Sequence, residues 1–467
     1  MDRRQFLQSA AATAATAAPN PPRPNFLFLI ADDLTHNGIR AMGNQEIETP
    51  NLDRLAARGC AFTHCFHQGS WSGAVCVPSR TMLNSGLTAF RAQRDFEQTP
   101  LWGETLGKAG YETFMAGKWH LSKPALERSF QVHGPVAGGM FESGPEAYNR
   151  PAPGNSWTPW DKSLKGQWQS VRDWRVQAES GDIRHSAGIW ADSAIEYLQR
   201  KHEKPFLMYV GFTSPHDPRQ APKEFVDRYP AGRVQVPPNY LPEHPFDQGD
   251  GRVRDEVLAP FPRTRAAVQV HRSEYYAHIT YMDSQIGRIL DVLEKSPEGT
   301  NTYVIFTADH GLAVGQHGLM GKQNLYDHSV RMPYLITGPG IPKGRRVDSL
   351  MYQHSTFATA CELARIPVPA SVEFPSAMGL IHKKAPGPDS VFCWYRGFQR
   401  SVRTSRYKLI VYPKAGMTQL FDLAKDPWET TNLSGQTAHA SVERELWERL
   451  RQHQRELGDP LALAPSH

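Results

Sequence analysis

The sequence predicts an α/β protein: a large central sheet covered by helices, followed by a smaller C-terminal subdomain with a small antiparallel sheet and a helix. Three observations carry that expectation. Several short, mostly apolar runs, "NFLFLI" at residues 25–30 being the first, have the pattern of strands buried on both faces of a parallel sheet. Helical stretches alternate with these runs, as layered α/β architectures require. From about Val347 the texture changes to strands joined by turns and then to one helical segment, "ASVERELWERLRQHQREL".

Taken in order, the first 19 residues do not read as fold. Arg3 and Arg4 precede Gln5, Phe6 and Leu7 and an alanine-rich run with small residues at 15–18, the order of a twin-arginine export signal. The mature chain is therefore expected to be exported, to the periplasm. No other stretch approaches the roughly 20 apolar residues needed to span a bilayer. After the stiff linker "PNPPRP" and the first strand, "TPNLDRLAARG" reads as a helix starting near Thr49 or Asn51 and closed by Gly59. "ETLGKAGYETFMAGKWH" reads as a helix ending near Gly110 and a strand running into Lys118. Residues 134–182, rich in Gly, Pro and Trp, read as a surface insertion. "KPFLMYVGFTSPHDP" and "TYVIFTADHG" are two more buried strands that end in polar residues. A catalytic domain over 20–385 and a subdomain over 386–467 follow from the change of texture.

Composition narrows the function. A chain of 467 residues, 40% hydrophobic and 21% charged, fits a soluble globular protein too long for one small core. A net charge of +5 with no Lys/Arg block excludes a nucleic-acid-coating protein. Aromatic residues at 10%, including 11 Trp, leave room for a cleft in which rings stack on sugars. Five cysteines are too few, and odd in number, for a disulfide scaffold, although Cys60 and Cys65 are close enough in sequence to pair.

In open α/β sheets ligands bind at the carboxyl ends of the strands. Those ends carry Asp32-Asp33, Lys118-Trp119-His120, His216-Asp217 and Asp309-His310. Each has an ordinary alternative: a helix N-cap pair for the aspartates, solvated charge for the lysines, packing for the histidines. Cys76 could be a small core residue, but Pro78, Ser79 and Arg80 stand at fixed offsets behind it.

"CVPSR", with Asp32-Asp33 upstream and "TADHG" downstream, resembles the type I, formylglycine-dependent sulfatases of the alkaline-phosphatase superfamily. The resemblance continues through "TPNLDRLAARG", "GYETFMAGKWH", "SPHDPRQAP", "YYAHITYMDSQIGRIL", "TADHGLAVGQHG" and "RTSRYKLIVYP…LFDLAKDPWETTNL". It implies an alkaline-phosphatase-like central mixed sheet flanked by helices, with a smaller C-terminal α+β subdomain. It also implies that Cys76 is a precursor, oxidised to formylglycine by a separate maturation enzyme. A hydrated aldehyde offers two hydroxyls on one carbon, one to attack sulfur and one whose deprotonation releases sulfate.

The remaining roles carry over by resemblance. Asp32, Asp33, Asp309, His310 and the Cys76 position are the implied ligands of a divalent cation, Ca²⁺ with Mg²⁺ as the alternative. His310 stands where many relatives have Asn. Arg80 is expected to orient the formylglycine oxygens, Lys118 and Lys322 to contact sulfate, His120 to act as base, and His216 with Lys322 to supply the acid. Leu87 replaces the arginine usual after the motif. The expected reaction is sulfuric ester hydrolysis on a sulfated carbohydrate. The rivals are a phosphodiesterase or phosphonate monoester hydrolase of the same superfamily and an inactive glycan-binding homologue. Two minor questions stay open at this level: whether His317 lines the sulfate pocket or holds its loop, and whether His36, His185, Asp217, Arg219 and the four Trp of residues 157–174 form a sugar subsite or a stabilising cluster.

Overall fold

The computed structural model describes residues 22–139 and 185–463. The first 19 residues, expected to be an export signal, and the Trp-rich stretch at 157–174 lie outside the described residues. The central sheet is built on β1 (Asn25–Ala31), buried along its whole length. Parallel β6 (Phe206–Gly211) flanks it on one side and parallel β7 (Thr302–Ala308) on the other. Beyond β6 come β4 (Glu112–Lys118) and β5 (Val132–Ala137), also parallel. Beyond β7 the sheet turns mixed, because β8 (Arg331–Thr337) runs antiparallel to both β7 and β2 (Cys60–Phe66). The short strands β9 (Arg345–Val347) and β10 (Met351–Tyr352) pair with β2 at the far edge.

β5 changes one expectation: residues 132–137, read in part as the start of a surface insertion, form the strand at the other edge of the sheet. Pro135 and Gly134 disguise it, and an edge position is where a sheet tolerates proline.

The long helix Arg265–Lys295 packs against helices Pro50–Arg58 and Ser186–Leu198. Its N-terminus is capped by the Thr264 hydroxyl, which accepts from the Ala267 amide at 3.1 Å. The first helix begins with Pro50 after Thr49 and stops at Gly59, as expected. A Cβ on Gly59 would lie 2.1 Å from the Ile336 carbonyl oxygen, so the residue serves close approach of the chain to β8. Among the described residues no helix is long and apolar enough to cross a membrane.

The second sheet contains β11 (Val391–Tyr395), β12 (Gln399–Arg403), β13 (Tyr407–Tyr412) and β14 (Met417–Asp422), an antiparallel meander. Helix Ala440–Leu457 buries Leu446, Trp447 and Leu450 against Val402, Leu409 and Leu420 of this sheet. Each such side chain contributes about 1.5–3 kcal/mol. A fifth strand comes from elsewhere: β3 (Gly69–Ser70), just before Cys76, pairs with β11. A Cβ on Gly69 would meet the Trp394 carbonyl oxygen at 1.8 Å, so only glycine fits. The small sheet thus anchors the loop that carries Cys76. All five cysteines are free thiols, Cys60 and Cys65 included, both of which lie in β2.

Candidate active site

The carboxyl ends of β1, β4 and β7 meet the helix Cys76–Ser85, and this junction assembles the site. Cys76 is the first residue of that helix, and nearly every residue after it is buried. Its Sγ lies 3.1 Å from Nδ1 of His120. Ligand atoms of Asp32, Cys76, Asp309 and His310 all lie within 4.8 Å of one another, and so do those of Asp32, Asp33 and His216. Residues up to 278 positions apart in the chain are therefore brought to one pocket, as the strand-end pattern predicts.

The cations are buried too. Arg80, one helical turn beyond Cys76, donates from Nε to Asp309 Oδ2 at 3.0 Å and from Nη1 to the Lys118 carbonyl at 2.7 Å. Lys118 pairs with Asp32 Oδ2. Lys322 donates to both Asp33 oxygens, at 2.8 and 3.1 Å. None of the three is the solvated charge that an isolated Lys or Arg usually is. Local backbone reflects the demand. Gly117 takes φ +92°, and a Cβ there would lie 2.0 Å from the Gly211 carbonyl oxygen. This close approach of β4 to β6 lets Lys118 enter beneath the rim. Asp33 and His120 are non-glycine residues at φ 68° and 60°, strain of the kind that gathers at functional sites.

The pairing of these charges still leaves polar atoms unanswered. Burial and the neighbouring Asp309 push the Asp32 carboxyl up, but Lys118, His216 and Arg80 outweigh them and hold it low. At Asp33 burial wins over Lys322, and the carboxyl rises well above the usual carboxylate range. Asp32 Oδ1, His310 Nε2 and Arg80 Nη2 are buried without a hydrogen bond. His310 Nδ1 lies 3.0 Å from the Gly311 carbonyl, to which it can donate, and Nε2 turns the other way, into the acidic cluster. That nitrogen faces Asp33 Oδ1 at 3.3 Å and Asp309 Oδ1 at 3.6 Å. Asp32 Oδ1 meets no donor in this buried pocket, and three carboxylates with one imidazole are a donor set for a divalent cation.

Two histidines take different positions. Burial and Lys118 lower the His120 ring to about 4, so it is neutral near pH 7 and open to accept a proton. His216 is buried with Nδ1 2.7 Å from the Asp217 carbonyl, and its Nε2 lies 3.9 Å from Asp33. Burial and Lys322 hold it well below its usual value. In the free site His216 is therefore a neutral ring, and of the two residues expected to supply the acid Lys322 is the one that keeps its proton: Asp33 and Asp255 outweigh burial and raise it well above the usual lysine range.

Several supporting residues carry no sequence motif. Gln353 donates to Ser79 Oγ at 2.6 Å and to the Asp309 carbonyl at 3.2 Å, tying the Cys76 helix to β7. Glu256 accepts from the amides of Met320 and Gly321, each at 2.8 Å, and shapes the loop that presents Lys322. Asp255 lies 3.7 Å from the Lys322 ammonium. Carboxylates in a turn-rich segment give no periodic signal, and only their alternation with Arg254 and Arg263 hints at pairing.

The open questions resolve towards structure. Asp217 is buried and held by both terminal nitrogens of Arg254. Arg219 is buried against His271, and His185 against the Gln220 carbonyl. His36 is half-buried, its backbone amide donating to the Arg331 carbonyl at 3.2 Å. His317 stacks on Tyr326 with ring centroids 3.8 Å apart and meets the Asn239 amide, so it holds its loop. Leu87 sits fully buried beside Met82 and Trp394 in the core under the small sheet, which explains an apolar residue there.

The sequence model of the family described as Sulfatase matches residues 24–366. That described as N-sulphoglucosamine sulphohydrolase, C-terminal, matches residues 315–456. A sulfatase of Formosa agariphila is 29% identical across 88% of this chain and 83% of its own. An N-acetylglucosamine-6-O-sulfatase of Bacteroides thetaiotaomicron is 26% identical across 97% of this chain and 91% of its own. A solved structure in complex with its substrate D-glucosamine-2-N,6-O-disulfate has a TM-score of 0.72 at 22% identity, covering 94% of this chain and 99% of that one. The phosphonate monoester hydrolase of Agrobacterium radiobacter has a TM-score of 0.74 at 20% identity, covering 93% and 96%. At such identities the two structures speak for the fold alone.

Proposed function

The chain belongs to the sulfatase family and is a sulfuric ester hydrolase; on that premise we propose that it removes sulfate from a sulfated carbohydrate, using a formylglycine made from Cys76. A divalent cation, calcium with magnesium as the alternative, would be held by Asp32, Asp33, Asp309 and His310 around the Cys76 position. The observation that supports this reading is the meeting of Cys76 with Asp32, Asp309 and His310 inside 4.8 Å, with Asp33 joined to Asp32 in a second such cluster and with Asp32 Oδ1 and His310 Nε2 buried without a hydrogen bond.

The aldehyde hydrate supplies two hydroxyls on one carbon, and the cation supplies positive charge for the attacking and sulfuryl oxygens. This chain's own residues do the rest. His120, neutral and 3.1 Å from the Cys76 side chain, takes the proton whose loss lets sulfate depart. Arg80 fixes the Asp309 carboxylate and, through Nη1, the Lys118 backbone, so the nucleophile helix and two strand ends keep one geometry. Lys118 and Lys322 present ammonium groups to the charge that develops on sulfate, and Lys322 gives a proton to the leaving oxygen, with His216 beside it. Burial of Arg80, Lys118, His216 and Lys322 keeps water from weakening these interactions.

The sugar preference is drawn from relatives: the Bacteroides relative is named for N-acetylglucosamine 6-O-sulfate, and the C-terminal family match is named for N-sulphoglucosamine. Maturation would require a separate formylglycine-generating enzyme, and the paired arginines at the N-terminus point to export into the periplasm. The phosphonate hydrolase likeness keeps one rival in view. Parallel assays on sulfate and phosphate esters of one phenol decide it: a larger kcat/KM on the sulfate supports the proposal, and a larger one on the phosphate overturns it. Mass spectrometry of the Cys76 tryptic peptide from the native host tests maturation. The aldehyde is expected; only thiol would leave a silent glycan-binding homologue as the better reading.

A further inference from the structure

The far edge of the central sheet carries a groove of about 690 Å³ that is remote from the catalytic residues. Its walls come from two elements. Edge strand β9 provides Arg345 and Arg346, and the turn after helix Met378–Ile381 provides Lys383 and Lys384. Four cations face one carboxylate, Asp348, whose oxygen already accepts from Thr63 Oγ1 at 2.6 Å. Among the described residues none of the four cations forms an ion pair. Many exposed cations elsewhere do: Arg58 with Glu294, Arg91 with Glu373, Lys223 with Asp227 and Arg288 with Asp192. Arg346 is also partly fixed, donating to the Ala41 carbonyl at 3.1 Å. Charge on an edge strand is an ordinary guard against edge-to-edge aggregation, and that would account for Arg345 and Arg346. It does not account for two lysines that converge on the same groove from a different element, one of them at φ 54°.

Register fixes where the groove lies. Arg345 pairs with Cys60, Cys60 with Ile336, Ile336 with Ile305, and Ile305 with Phe28 of β1. The groove is thus four strand spacings from β1, about 19 Å at about 4.8 Å each, and a few residues below the rim. That spacing sets the groove apart from the catalytic residues.

We propose that this groove is an exosite for the sulfated polysaccharide itself, holding sulfate groups of the polymer while another residue of the same or a neighbouring chain enters the catalytic pocket. The proposal rests on the sulfated-carbohydrate reading. Unpaired cations in a groove keep their full attraction for sulfates, and several such contacts on one polymer add through effective concentration.

The test measures binding of dextran sulfate, with neutral dextran and vesicles of phosphatidylglycerol as comparison ligands, at several salt concentrations. One variant of the full chain carries Arg346→Gln, Lys383→Asn and Lys384→Gln, the asparagine chosen to tolerate the positive φ. A control of equal charge change carries Lys201→Gln, Lys425→Gln and Arg444→Gln, all exposed and distant in sequence. The wild type is expected to bind dextran sulfate in a salt-sensitive manner, the groove variant at least about tenfold more weakly, and the control within about twofold. Turnover of a small aryl sulfate is expected to be the same in all three. Equal binding by wild type and groove variant overturns the exosite, as does an equal loss in the control or a preference for the vesicles. If the groove binds as expected but no sulfated sugar is hydrolysed, the substrate reading fails and the exosite stands.

Discussion

Two buried charge clusters in this molecule contrast in how their charges are closed. In the seam between the two sheets, Asp327 and Glu429 meet Arg331, Arg403 and Lys408. Every carboxylate oxygen there is answered: Asp327 Oδ1 by Lys408 at 2.9 Å, its Oδ2 by Arg331 at 3.3 Å, Glu429 Oε1 by Lys408 at 2.7 Å, and Oε2 by the Asp327 amide at 2.8 Å. At the catalytic rim Asp32 Oδ1 and His310 Nε2 have no hydrogen bond. Burial acts on both clusters. At Asp327 it is overcome by Arg403, Lys408 and Arg331, and the carboxyl falls well below its usual range; at Asp33 it prevails and the carboxyl rises. In the seam Arg403 Nε lacks a hydrogen bond but lies 3.4 Å from Asp327 Oδ1, so no carboxylate oxygen goes unanswered there, whereas at the rim Asp32 Oδ1 does; closed carboxylates hold a fold together, and an open one holds a place for something else.

The sharpest way to break this comparison is at Cys76. Cys76→Ser is expected to lower turnover of an aryl sulfate by about three orders of magnitude or more, because a hydroxyl cannot release sulfate as the aldehyde hydrate does. Its thermal unfolding is expected to stay near that of the wild type. Near-normal activity would show that the nucleophile is elsewhere.

The seam and the rim are expected to answer differently to loss of a carboxylate. Asp327→Asn leaves Arg403, Lys408 and Arg331 buried with less compensation and is expected to cost about 3–5 kcal/mol in urea unfolding, with activity per folded molecule retained. Asp33→Asn removes a charge that burial already disfavours and leaves the Lys322 ammonium with Asp255 as its remaining partner, so without added cation it is expected to cost less than Asp327→Asn, while activity falls by a factor of at least about a hundred. Equal destabilisation by both would erase the distinction.

A smaller effect concerns pH. Burial lowers His185 to about 4 and His317 to about 3, both from an ordinary 6.5. A histidine with a depressed folded value binds fewer protons folded than unfolded, so its stabilisation is complete above 6.5 and is lost as pH falls towards the folded value. Denaturation midpoints are therefore expected to fall steadily from pH 6.5 to 4.5, by about 2–3 kcal/mol for each such ring. His317→Asn is expected to flatten part of that slope without changing turnover at pH 7.

How much of this was legible in the sequence depends on range. Strand ends are local: an apolar run that stops at "DD", "KWH" or "DH" marks a rim, and that reading placed Asp32, Lys118 and Asp309 in one pocket. Contacts without a local period were not legible. Nothing near Gly69 says that it joins a strand 325 residues later, because the signal is only a close backbone approach. Gln353, Asp255 and Glu256 act through hydrogen bonds to distant segments, and polar residues in loops read alike whether they support a site or face water. The same limit left Asp217 and Arg219 open between sugar contact and internal strut.

The central claim is that the open rim cluster is a cation site. Isothermal titration of calcium into the matured protein, repeated on Asp33→Asn and Glu429→Gln, tests it most directly. One binding event is expected in the wild type and in Glu429→Gln, and at least about tenfold weaker binding in Asp33→Asn. No binding heat in the wild type, or binding unchanged by loss of Asp33, would contradict it.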